Sequence, residues 1–131
     1  MKVQLALAIA CSALSCMLAA FPAVAPASKR ASAAQSKAIW RAYERKFPGP
    51  SCVHHRARIS TVKSRFTWGK IVVADSTCGN GEMVFKRLKG TRRWRFVSGG
   101  SDWGAPGRCA DDLHLLGRRV YRDFFPSSDC G

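Results

Sequence analysis

Acid is scarce in this chain: eight Asp and Glu stand against 22 Lys and Arg, for a formal net charge of +14 and a pI near 10.4. That imbalance favours polyanionic neighbours such as nucleic acid, anionic lipid or wall polymer. A merely solvated Arg-rich surface is the plainer reading of the same excess. No C-x-x-C pair occurs, so the cysteines lack the spacing of a zinc site. No G-x-S-x-G elbow occurs, and Ser98-Gly99-Gly100-Ser101 reads as a strand leaving into a loop rather than as a hydrolase nucleophile. Gly79-Asn80-Gly81 lacks the Lys and following helix of a phosphate loop and reads as a turn. Internal repeats are absent. No metal or cofactor is expected from these patterns.

What the chain does have is a long apolar start. After Lys2, the run from Val3 to Phe21 carries no charge, and Ala25-Pro26-Ala27 gives the small-x-small pattern of a processing site. Residues 1–27 therefore read as a secretory signal peptide. Ala31-Ser32-Ala33 offers a later cut that, on sequence alone, leaves nearly the same domain. The apolar run approaches the roughly 20 residues of a membrane span, but its Pro and small-residue flank favours cleavage over anchoring. The expected location is extracellular or associated with the cell envelope. Cleavage removes Cys11 and Cys16 and leaves Cys52, Cys78, Cys109 and Cys130, an even number in an oxidising compartment. A remaining domain of about 104 residues has a thin stability margin, which disulfides would widen.

Periodicity then orders the mature chain. Ser28 to Gln35 is small, basic and aperiodic, and reads as a flexible lead to a single domain over residues 36–131. From a capping Ser36, Ile39, Trp40, Tyr43 and Phe47 recur at helical spacing until Pro48-Gly49-Pro50. Val53 to Thr61 and Trp68 to Ala74 read as one hairpin, with Ile59 facing Ile71 and Ala57 facing Val73. That register sets Cys52 opposite Cys78. Glu82 to Leu88 and Arg92 to Ser98 read as a second hairpin around Lys89-Gly90, with Met83, Phe85, Trp94 and Phe96 on one face. A final helix, capped by Asp111 or Asp112, carries the stripe Leu113, Leu116, Val120, Tyr121 and Phe124 up to Pro126. Cys109 and Cys130 pair by elimination, provided the tail folds back. The expected fold class is α+β: a four-stranded antiparallel sheet of two hairpins, with an N-terminal and a C-terminal helix both on one face and two disulfides.

The export signal, the early helix, Arg58-Ile59-Ser60-Thr61-Val62 before a Trp strand, Arg93-Trp94-Arg95-Phe96-Val97, and a Cys on either side of the last helix form one pattern. By it the chain resembles a group of small secreted, disulfide-containing proteins of unknown function from high-GC Gram-positive bacteria. The resemblance implies localisation and fold, not activity. Where such chains commonly carry an acidic residue in the turn near Lys63, this one has Lys63, Ser64 and Arg65.

The candidate sites follow from parity. With the apolar residues turned to the helices, Arg56, Arg58, Lys70, Lys86, Arg93 and Arg95 project from the opposite sheet face, with Val72, Val84, Leu88 and Val97 between them. Such a surface suits the phosphate or carboxylate groups of a polymer. Trp68 and Trp103 are the tryptophans placed where they could stack on a sugar or base, whereas Trp40 and Trp94 read as packing. Neighbouring His54 and His55 point to opposite sides if they lie on a strand. These two or His114, with Glu44, Glu82 or a Lys, are the acid and base available to a ribonuclease-like hydrolase. The leading expectation is a non-enzymatic binding domain for anionic polymers or acidic proteins; a small basic hydrolase and a protein inhibitor are the alternatives.

Overall fold

Ser32 and Gln35 set where the first helix begins. The Ser32 hydroxyl accepts from the Gln35 N–H at 3.2 Å, while the Gln35 side chain accepts from the Ser32 N–H at 2.9 Å. This reciprocal capping box starts α1 (Ala33–Lys46) from a cap four residues ahead of the expected Ser36. Ser36 is instead buried, donating to His55 O and accepting from the Ala57 N–H, both at 3.1 Å. The computed structural model describes residues 28–75, 77–128 and 130; the proposed signal peptide lies outside them. The flexible lead expected over Ser28 to Gln35 is corrected: Lys29–Arg30 form an edge strand, β1, paired with β2 (Arg58–Ile59). Ala31 fixes it there, being buried in the core with its N–H donating to Ala57 O at 2.7 Å.

The sheet has five strands rather than four, and runs as an antiparallel meander in chain order, adding β3 (Phe66–Asp75), β4 (Gly79–Leu88) and β5 (Arg95–Gly100). Its longest pairing is β3 with β4, from Phe66 opposite Leu88 to Asp75 opposite Gly79. Gly79, at φ +82°, opens β4, so Gly79-Asn80-Gly81 belongs to a strand. Ile59 lies opposite Gly69 rather than Ile71, a slip of two residues that keeps the parity. Gly69 suits that crossing because a Cβ there would sit 2.6 Å from Ile39 Cδ1 and 3.1 Å from Trp94. Residues 51–57 are not a strand but a strap along α1, held by Trp40 Nε1–H donating to His55 O at 2.6 Å.

The helices cover opposite faces of the sheet, which corrects the one-sided arrangement. Ile39, Trp40 and Tyr43 of α1 pack with Ile59, Ile71, Val73, Phe85 and Trp94. Trp68 and Val84, of the other parity, pack with Leu116, Val120, Tyr121 and Phe124. The expected single C-terminal helix is two, α2 (Cys109–Leu116) and α3 (Arg118–Phe124), broken at Gly117, whose φ of +75° and ψ of 146° suit glycine. That break turns the tail back. Both expected disulfides are present, Cys52–Cys78 and Cys109–Cys130, with Cα atoms 5.8 and 5.2 Å apart. Among the described residues no helix is long and apolar enough to cross a membrane.

Candidate functional site

Covering both faces of the sheet redistributes the six cations that parity selects. Lys70 is buried beneath α3: its ammonium donates to Glu82 Oε1 at 2.9 Å and Phe124 O at 3.1 Å, and lies 4.5 Å from the Phe125 ring centre. It is thus committed to the fold. Arg58 lies opposite Lys70 on one side and Arg30 on the other. With Arg56, His55, Val72 and Ala74 these residues border a shallow depression of about 360 Å³, while Arg58 Nε donates to Ser28 Oγ at 2.7 Å. Arg30 escapes the sequence reading because its segment looks like a lead rather than a strand.

Lys86, Arg93 and Arg95 form a separate group at the far end of β3, β4 and β5. There the β2–β3 connection and the β4–β5 connection meet, with Lys89 N–H donating to Arg65 O at 3.0 Å. Two tight local turns hold the loops: Ser64 Oγ accepts from the Phe66 N–H at 3.2 Å, and Thr91 Oγ1 donates to Leu88 O at 2.7 Å. Arg65, Lys86, Arg93 and Arg95 border a cleft of about 310 Å³ that Phe66 and Leu88 also line. The six cations therefore divide into two groups of three, and the second gains Arg65, which the sequence offered only as part of a turn.

Charge at this end has no acidic counterweight in the sequence. Residues 45–74 and 83–101 contain no Asp or Glu. The acidic side chains are employed elsewhere. Asp123 accepts from Ser60 Oγ and the Thr61 N–H, both at 2.6 Å; Asp102 and Asp112 pair with Arg108 at 2.7 and 3.2 Å; Glu82 holds Lys70. Hydrogen bonds from the Thr77 and Val53 backbone N–H groups hold the Asp75 carboxyl below the usual carboxylate range, the Thr77 bond being the larger cause. Three cations at the basic end lie over aromatic rings instead. Arg65 and Lys86 lie 4.8 and 5.0 Å from the Phe66 ring centre, and Arg87 lies 5.1 Å from that of Trp94.

The tryptophans expected to offer stacking surfaces are absorbed. Trp68 is buried beneath α3, and Trp103 stacks on Phe125 at 5.1 Å while its indole N–H donates to Glu82 O. Trp40 and Trp94 are buried as expected.

His54 and His55 lie on the strap rather than on a strand, so the alternation argument does not separate them. Both border a shallow depression of about 310 Å³ with Lys37, Trp40 and Arg56. His54 Nε2 meets Glu44 Oε1 at 2.8 Å and its ring stacks on Trp40, centroids 5.0 Å apart. His114 is exposed on α2. Among the described residues no group of three or more His, Cys, Asp or Glu could hold a metal ion. No protein-family model matches the chain, and no curated protein or solved structure matches it significantly.

Proposed function

We propose that the protein is an exported, non-enzymatic binding domain that engages anionic polymers through its basic end. One observation carries this reading: Arg65, Lys86, Arg93 and Arg95 converge on a cleft in a part of the chain free of acid. Salt would weaken such binding, because each cation set on a phosphate releases condensed counterions. The two disulfides suit the oxidising exterior to which the signal-like start would send the chain. They also fit its likeness to small secreted proteins of high-GC Gram-positive bacteria.

Retention on heparin or polyphosphate resin at stepped salt tests the reading. Under counterion release, removing one phosphate-binding cation at 0.15 M salt lowers affinity roughly fivefold, so Arg93→Ser with Arg95→Ser should lower it about thirtyfold. Arg56→Ser with Arg58→Ser should have a smaller effect. Retention indifferent to the first pair would sink the proposal. The His54–Glu44 contact at 2.8 Å favours a second reading, phosphodiester hydrolysis with His54 as base. RNA cleavage by the purified protein, abolished by His54→Ala, would replace the binding reading with that one.

A further inference from the structure

The basic end has a second depression, on the other side of the sheet. Lys63, Arg87, Lys89 and Lys29 border it, together with Gln35 of α1, and its volume is about 360 Å³. Lys86 lies opposite Trp68 and Arg87 opposite Thr67, so these consecutive cations of β4 project to opposite sides. Phe66 lines both depressions and is their meeting point.

We infer that an unbranched polymer of tetrahedral oxyanions, phosphate or sulfate, lies over this end of the sheet and fills both depressions at once. The inference rests on the binding reading above and deepens it to a ligand class and a path. Three observations carry it. First, cations line the whole route, Arg93, Arg95 and Lys86 on one side and Lys63 and Lys89 on the other, and no Asp or Glu lines either depression, although Asp123 is bonded to Ser60 and Thr61 at the border of the second. Second, the aromatic rings along the route are already engaged: Phe66 by Arg65 and Lys86, Trp94 by Arg87, with Trp68 buried. Bases and sugars therefore find no bare ring to stack on, and what is read is charge along a backbone.

Third, the cations are dense. Lys86 and Arg95 are direct cross-strand neighbours, about 5 Å apart at Cα, whereas an extended acidic peptide repeats its same-side carboxylates only every ~6.8 Å. A polyphosphate, charged at every short backbone unit, supplies at least one anion per cation at that density. From β5 to β1 the route crosses four strand spacings, about 19 Å, so an oligomer of three phosphates fills one depression and a long chain fills both.

Binding of tripolyphosphate and of long-chain inorganic polyphosphate to the full folded protein, measured by calorimetry at 0.15 M salt, tests the path. Lys63→Ser with Lys89→Ser, both exposed, should lower long-chain affinity about thirtyfold and cut the advantage of the long chain over tripolyphosphate at least tenfold, with the melting temperature unchanged. An unchanged advantage overturns the path. Poly-glutamate of matched charge should bind at least tenfold more weakly than polyphosphate, and equal binding overturns the oxyanion class. Dextran sulfate identifies the source: parity with polyphosphate supports oxyanions of either element, and weaker binding narrows the class to phosphate. Failure of Arg93→Ser with Arg95→Ser to weaken any polymer removes the binding reading itself. A loss there without one from the lysine pair removes only the two-sided path.

Discussion

Beneath α1 the sheet meets Ile39, Trp40 and Tyr43 in a predominantly apolar layer, whereas beneath α2 and α3 it meets charged and polar anchors as well. On that second face Asp123 grips Ser60 and Thr61, Lys70 reaches Glu82 and the Phe124 carbonyl, and Arg108 pairs with Asp112. The difference bears on function as well as on folding. A chain with few carboxylates has committed most of them to fastening one helical layer and the strap, leaving the cations of the opposite end uncompensated.

Substitutions on each face should fail in different ways. Trp40→Ala has the largest expected effect: its side chain is buried and bonds His55 O, so truncation should cost about 3–5 kcal/mol through reduced packing and an open cavity. Denaturant titration measures it, and a cost under about 1 kcal/mol would show that the strap and α1 are not held as described. Asp123→Ala should follow at about 2–3 kcal/mol, because it leaves buried or half-buried donors of Ser60 and Thr61 without their acceptor. Stability unchanged by that substitution would mean that the second face rests on apolar packing after all.

The smallest effect belongs to Asp75. Its carboxyl is held below the usual range by backbone N–H groups of Thr77 and Val53. The stability it contributes is therefore fully present above the unfolded carboxylate pKa and disappears as pH falls through the depressed folded value. Asp75→Asn should accordingly melt slightly lower than wild type at pH 6, with the two converging toward pH 2. A gap that persists to pH 2 would assign the effect to shape rather than to charge.

Much of this architecture can be read from residue order. Of the stripe Leu113, Leu116, Val120, Tyr121 and Phe124, the last four are buried and Leu113 is half-buried, although two helices rather than one carry it; hairpin register selects Cys52–Cys78, and elimination leaves Cys109–Cys130. Cys52 meets Cys78 even though the neighbouring register differs by two residues, because the strap approaches the β3–β4 turn outside the ladder. The two-sided cover is also encoded. Trp68 and Val84, large apolar residues of the parity opposite to Ile71, Val73 and Phe85, are buried with the residues of α2 and α3, although Val72 of the same parity stays exposed. Strict alternation hides that signal.

The candidate site was legible in part. Lys86, Arg93 and Arg95 converge, but Arg65 joins them only because two loops meet, and Lys70 leaves the set because α3 folds over it. Periodicity records which way a side chain points along its own strand. It does not record what the end of the chain later lays on top.

The edge strand β1 separates the two cleavage positions that the sequence offers. Ser28 is buried, its N–H donates to Asp123 O, and its hydroxyl receives Arg58. A peptidase cutting after Ala27 would spare the strand, the Ala31 plug and the Ser32 cap. One cutting after Ala33 would remove all three and with them the seam joining the first residues to α3. The two cuts that look equivalent in the sequence thus yield different products, one able to close its sheet and one lacking an edge strand.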